Sequence, residues 1–90
     1  MTRPTIHLNG TSLGQLIEDN ERASSAIRDA IEVMSETGPN ARDYYPQGDA
    51  AIAAAIAEHR ARLDKLREVL TELEAIGEYL GEEELIRGKR

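Results

Sequence analysis

An uninterrupted heptad pattern in the second half of the chain limits its fold more than any other feature. Apolar residues recur there in alternating steps of four and three over about four heptads, which places them along one face of a long helix. The pattern predicts a helix over residues 49–81, with Asp49 as its N-cap and Gly81 at its end. The positions of this seam are Ile52, Ile56, His59, Leu63, Leu66, Leu70, Leu73, Gly77 and Leu80.

A second amphipathic helix is predicted over residues 12–37. Ser12 and Gln15 have the spacing of a capping box, and apolar residues follow at intervals of three and four. Gly38 and Pro39 are expected to end this helix, with Gly38 as a left-handed cap.

Together the two patterns predict an all-α single domain. The expected architecture is a long helical hairpin of two antiparallel helices, preceded by a short extended N-terminal lead-in. Its predicted segments are the lead-in 1–11, the first helix 12–37, the loop 38–48, the second helix 49–81 and the tail 82–90.

The predicted hairpin leaves apolar surface without a partner. Two amphipathic helices form one seam but enclose no core, so we expect a homo-oligomeric bundle that packs through the helix seams. Asn20 and Ser24 interrupt the first apolar stripe, and a polar contact there is expected to set the register against a partner helix. Ile6 and Leu8 of the lead-in are expected to cover part of the longer helix.

Composition argues against several classes of function. The net charge of −6 does not favour general binding to the nucleic-acid backbone, which needs a basic face. No apolar run approaches the ~20 residues that span a bilayer, and the N-terminal segment has no apolar core typical of a signal peptide. The chain has no cysteine, which fits a reducing compartment. We therefore expect a cytoplasmic protein without a membrane partner.

The loop segment PNARDYYPQG at residues 39–48 is the most promising place for a ligand. Tyrosine rings can stack on a nucleobase, arginine can hold a phosphate with two N–H groups, and asparagine can read a base or ribose edge. An aspartate can bind a ribose hydroxyl. The structural alternative is that the tyrosines close the end of the hairpin while Arg42 pairs with Asp43 or Asp49. The candidate ligand-binding residues of this loop are Asn40, Arg42, Asp43, Tyr44 and Tyr45.

A basic strip follows on the second helix. Arg60 and Arg62, from the same or a neighbouring chain, are candidates to complete the charge of a loop site, because a local basic field can attract an anion to an acidic protein. The alternative is a solvated helix face on which Glu58 pairs with Arg62 one turn away. His59 lies on the apolar seam, so we expect a core histidine that is hydrogen-bonded across the bundle.

The residue spacing gives little support to a catalytic or metal-binding function. The sequence contains no Glu-x-x-His or His-x-x-x-His spacing, and its two histidines are far apart. Without cysteine, a nucleophile would have to be a serine, and no histidine has an evident pairing with one. We predict that the chain is not an enzyme and has no metal site and no cofactor.

Three segments carry a resemblance to known proteins: IHLNGTS at residues 6–12, PNARDYYPQG at 39–48 and EHRARL at 58–63. With their order of lead-in, helix, PN-x-RDYYP loop and long helix, the chain resembles a group of small phage-encoded helical proteins, most of which have no assigned function. In size and helical build it is also similar to viral sponge proteins. Sponge proteins oligomerise and sequester the cyclic nucleotides that signal infection in bacterial antiphage immunity.

The resemblance favours a phage-type, non-catalytic binding protein in the cytoplasm of an infected cell. It implies sequestration of a small phosphorylated or cyclic nucleotide, which would block host antiphage defence. Two alternatives remain open: an inhibitor that docks on a host defence or transcription protein, or a structural phage component. Tyrosine and arginine are also enriched in protein interface hot spots, so the same loop suits a protein partner.

Overall fold

The computed structural model describes residues 1–88 as two helices that pack against each other. Helix α1 spans Leu13–Glu36 and helix α2 spans Asp49–Gly88, with 24 and 40 residues. Two short 3-10 turns, Ala41–Asp43 and Tyr45–Gln47, lie between them. The prediction of an all-helical, hairpin-like chain is confirmed, and no strand occurs within residues 1–88.

Ser12 caps α1 in the way that the sequence predicts. Its Oγ accepts a hydrogen bond from the backbone N–H of Gln15 at 3.2 Å. The other end of α1 differs from the prediction, because Thr37 closes the last turn by donating its N–H to Met34 O at 3.3 Å. A left-handed residue is then not needed, and Gly38 does not adopt the predicted left-handed cap.

Helix α2 continues beyond the predicted end. Gly81 lies inside the helix, and the expected tail at residues 82–88 is helical. The predicted end was wrong because one glycine costs a helix only about 1 kcal/mol. The added turns carry an ion pair of 3.5 Å between Arg87 Nε and Glu83 Oε2, four residues apart. The last part of the predicted tail, residues 89–90, lies outside the described residues.

Two side chains set the antiparallel register of the helices. Asn20 on α1 donates its Nδ2 hydrogen to Leu73 O on α2 at 3.0 Å. Fourteen residues further along α1, Met34 O accepts a hydrogen bond of 2.7 Å from His59 Nε2. The expected polar contact between the helices is present at Asn20 but not at Ser24, whose Oγ makes no hydrogen bond in the described chain. His59 is half-buried and is hydrogen-bonded across the helix pair, as expected. Since both bonds end on backbone carbonyls, a shift along the helix would break both.

The core of the single chain is thin. Among the described residues only Leu63, Leu80 and Ser24 are buried, with exposed fractions of 7%, 1% and 2%. Ser24 follows Asn20 by one turn and therefore lies on the same face, so Ser24 is buried while the neighbouring Ala23 is exposed. The rest of the α2 seam is only half-buried.

The lead-in contacts α2 through a tyrosine that the sequence did not single out. Tyr79 donates its hydroxyl hydrogen to Pro4 O at 2.9 Å, and the guanidinium carbon of Arg3 lies 5.3 Å from the centroid of the Tyr79 ring. Ile6 is half-buried, but Leu8 is fully exposed. The expected cover by Leu8 was therefore wrong, since the segment is attached through the Pro4 carbonyl instead.

The resulting shape is a rod. Its principal extents are 65 × 21 × 20 Å and its radius of gyration is 19.3 Å. A compact domain of this length would have a radius of gyration of about 12 Å. Neither helix contains a stretch, within residues 1–88, that is long and apolar enough to cross a membrane.

Candidate functional site

The first turns of α2 pack against the loop and extend beyond α1. Met34, close to the end of α1, already lies opposite His59. The uncharged segment of α2 at residues 50–57 therefore has the loop as its neighbour. Part of this segment stays exposed in the single chain, namely Ala50, Ala53, Ala54 and Ala57.

Asn40 organises the first 3-10 turn. Its Oδ1 accepts hydrogen bonds from the backbone N–H of Arg42 at 2.9 Å and from Arg42 Nε at 3.4 Å. The structural alternative of an Arg42 pair with Asp43 or Asp49 was therefore wrong: in the described chain the guanidinium contacts the Asn40 amide. The loop is held in shape by the Asn40 side chain together with the backbone hydrogen bonds of its two 3-10 turns.

Gly48 directs the chain from the second 3-10 turn into α2. Its φ of 98° and ψ of 164° lie in a region that only glycine adopts without strain. Its N–H donates to Tyr45 O at 3.1 Å, and its carbonyl accepts from the N–H of Ala51 at 3.1 Å. This conformation folds the loop back along the first turns of α2.

A cavity of about 340 Å³ lies between the loop and α2. It brings the half-buried Tyr44 of the loop together with Arg62 of α2, two of the predicted site residues. Its volume is near the lower end of the ~300–1,000 Å³ typical of small-molecule sites. The lining residues are Pro39, Tyr44, Gln47, Ala51, Ala54, Ala55, Glu58 and Arg62.

The other predicted site residues do not line this cavity. Tyr45 is 76% exposed at the outside of the loop. The remaining members are also exposed in the single chain, namely Asn40, Arg42, Asp43 and Arg60. The single chain therefore assembles two of the seven predicted residues into one concave site.

Sequence reasoning missed two polar residues of the cavity, Gln47 and Glu58. The signal for Glu58 was present, because it precedes Arg62 by one turn and so shares its helix face. Gln47 belongs to a loop whose 3-10 turns the sequence did not predict. Among the described residues, Glu58 and Arg62 form no ion pair within 4.0 Å. The alternative of a helix face on which Glu58 pairs with Arg62 was therefore wrong in that respect. Both charged groups remain available to a ligand.

Comparisons with protein-family models, curated proteins and solved structures find no match to this chain. Among residues 1–88, no three histidine, aspartate or glutamate side chains group in a way that suits a metal ion.

Proposed function

We propose that this chain is a non-catalytic, phage-type binding protein that sequesters a small phosphorylated nucleotide in the cytoplasm of an infected cell. A cyclic nucleotide signal of host antiphage defence is the ligand class implied by the resemblance. The observation that supports the proposal is that Tyr44 and Arg62 line one cavity. An aromatic ring for the base and a guanidinium for the phosphate are the two groups that nucleotide capture most needs.

Each polar group of the cavity has a role in this proposal. Tyr44 stacks on the base, and Arg62 binds the phosphate through two N–H groups, each charged hydrogen bond contributing about 1.5–3 kcal/mol. Glu58 repels phosphate, so the phosphate lies on the far side of Arg62. The Glu58 carboxylate and the Gln47 amide then accept hydrogen bonds from the N–H groups of the base.

Self-association is the second part of the proposal. The single chain exposes 6823 Å². A compact monomer of 9.9 kDa would expose about 5,200 Å². The excess of roughly 1,600 Å² per chain is about twice the ~800 Å² that each partner buries in a standard protein interface. The exposed alanines of residues 50–57 supply an apolar, uncharged surface for a second copy.

In an oligomer, the exposed members of the predicted site would contact a ligand bound in the cavity of a neighbouring copy. No residue of α1 lines the Tyr44 cavity, so its lining leaves room for the loop of a second copy. In such an assembly, further stacking, phosphate and edge contacts would come from Asn40, Arg42, Asp43, Tyr45 and Arg60. Analytical ultracentrifugation tests this part, because a single species of 9.9 kDa at micromolar concentration would contradict it.

The binding proposal is tested by thermal melting with a panel of mono-, di- and cyclic nucleotides. A ligand at 100 times its dissociation constant should stabilise the protein by about 2.7 kcal/mol, or several degrees. Arg62→Ala should abolish the shift. Arg22→Ala is the matched control, because it removes the same charge from an exposed position of α1, outside the cavity and outside the predicted site. Equal loss in both variants would indicate non-specific electrostatic attraction and refute the assigned site.

A protein-interaction inhibitor is the second candidate. It is favoured by the exposure of Tyr45, 76%, next to the exposed Arg42. These two residue types dominate interface hot spots. If this candidate is correct, Tyr45→Ala should prevent capture of one host protein, Arg62→Ala should not, and no nucleotide should shift the melting temperature.

A further inference from the structure

Val69 is an apolar side chain that is exposed near the middle of α2, with 41% of its surface accessible. Leu66, Leu73 and Ile76 lie three, four and seven positions from it and are therefore its neighbours on the helix surface. Each of these three residues is only half-buried in the single chain. The four residues form an apolar patch, the Val69 patch, which shares no residue with the Tyr44 cavity.

The charged residues on either side of Val69 have opposite signs. Lys65 lies one turn before Val69 and Glu72 one turn after it, and both are exposed on the same face of α2. They are about 10 Å apart along the helix, and neither forms an ion pair within 4.0 Å among residues 1–88. A patch with a cation at one end and a carboxylate at the other is complementary to a second copy of itself rotated by a two-fold axis.

The same charge polarity extends along α2. Residues 59–67 contain four lysines or arginines and one aspartate, whereas residues 72–84 contain six glutamates and no cation. Two parallel α2 helices would place like charges side by side, which disfavours association. Two antiparallel α2 helices would place the basic half of each against the acidic half of the other. The charge pattern therefore favours an antiparallel partner of the same sequence.

We propose that the Val69 patch binds a second copy of this chain in antiparallel orientation, with Val69 on the two-fold axis. Lys65 of each copy then lies opposite Glu72 of the other, because the two residues are four and three positions from Val69. This inference rests on the self-association proposed above and assigns to it a contact separate from the loop. The surface that the single chain exposes in excess of a compact monomer is about twice what one partner buries in a standard interface, so both contacts can form.

The antiparallel contact places the two loops at opposite ends of the dimer. Helix α2 begins at Asp49, which is 20 residues and so about 30 Å from Val69. The two loops are then about 60 Å apart. Each end of the dimer therefore carries its own Tyr44 cavity, which the contact leaves uncovered.

Disulfide cross-linking of the full chain tests the contact, and it is specific because the chain has no cysteine of its own. Val69→Cys should form a covalent dimer under mild oxidation, since two cysteines on the axis can approach within the ~7 Å between Cα atoms that a disulfide allows. Leu85→Cys is the control. Leu85 is more exposed, at 67%, but it lies 16 residues from Val69, so its two copies would be about 48 Å apart.

We expect Val69→Cys to cross-link at least about tenfold faster than Leu85→Cys, because only the former pairs within the dimer. Equal rates in the two variants would indicate random collision and would overturn the proposal.

Charge reversal in the Val69→Cys background tests the orientation. Lys65→Glu or Glu72→Lys alone should slow cross-linking at least about tenfold, because each places two pairs of like charges in the contact. An equimolar mixture of the two variants should restore the rate, since every pair then joins opposite charges. A mixture that cross-links no faster than the single variants would overturn the antiparallel contact.

Nucleotide capture and the antiparallel contact can be refuted independently. If nucleotides shift the melting temperature but Val69→Cys cross-links no faster than Leu85→Cys, only the antiparallel contact is overturned. If Val69→Cys cross-links as expected and no nucleotide shifts the melting temperature, only nucleotide capture is refuted.

Discussion

Gly77 and Gly81 lie one turn apart on α2 and should respond to alanine in opposite ways. At Gly81 an added Cβ meets no atom within 4 Å, so Gly81→Ala gains the helix propensity of alanine, about 1 kcal/mol. At Gly77 the added Cβ would lie 2.7 Å from Asn20 Oδ1. The Asn20 side chain must then move away from its hydrogen bond to Leu73 O.

The size of the difference follows from these contacts. Losing the Asn20 hydrogen bond and leaving a partly buried amide unpaired costs about 1–3 kcal/mol, which offsets or exceeds the propensity gain at Gly77. Gly77→Ala should therefore be less stable than Gly81→Ala by about 1–3 kcal/mol. In a domain of this size, each kcal/mol changes the melting temperature by roughly 4–8 °C.

Circular dichroism melts of the two variants, at equal protein concentration, give the comparison. A second pair adds a control: in an Asn20→Ala background, Gly77→Ala should stabilise as much as Gly81→Ala does, because the obstructing amide is gone. If Gly77→Ala melts at or above Gly81→Ala in the wild-type background, the Asn20 side chain does not lie against Gly77 and the described register of the helices is contradicted.

Three further changes test other parts of the fold by denaturant unfolding. Leu80→Ala, at a site 1% exposed, should lower the free energy of unfolding by about 2–5 kcal/mol. Leu85→Ala, at a site 67% exposed, should leave it nearly unchanged, and similar losses in the two variants would contradict the described core. Tyr79→Phe removes the hydrogen bond to Pro4 O, which should lower the free energy of unfolding by about 0.5–1.5 kcal/mol and speed proteolysis of the lead-in. Unaltered proteolysis would mean that Tyr79 does not hold the lead-in on α2. Gly48→Ala should cost about 1–3 kcal/mol because of its φ of 98°, and a neutral effect would exclude this loop conformation.

Much of the fold could be predicted from periodicity and capping residues. The seam from Ile52 to Leu80 and the Ser12 cap depend on local spacing, which a sequence displays directly. Polar residues within the apolar stripes were also informative, since Asn20 and His59 each bond to the opposite helix, although Ser24 does not. The end of α2 could not be predicted in the same way. A single glycine such as Gly81 lowers the stability of a helix too little to end it when helix-forming residues lie on both sides.

The candidate site was only partly predictable. Residue types selected Tyr44 and Arg62, but the cavity that joins them depends on where α1 ends relative to α2. That relation follows from the hydrogen bond of 2.7 Å between His59 and Met34, a contact between residues 25 positions apart. Sequence spacing also does not reveal that Tyr45 is exposed while Tyr44 is half-buried, because the two 3-10 turns between the helices decide it.

Nucleotide capture beneath the loop is tested most directly by mapping amide chemical shifts during titration with the nucleotide that stabilises the protein most. We expect the largest changes at Tyr44, Gln47, Glu58 and Arg62, with a common dissociation constant. Saturable changes confined to other residues, or no change with any nucleotide in the panel, would contradict nucleotide capture at this site.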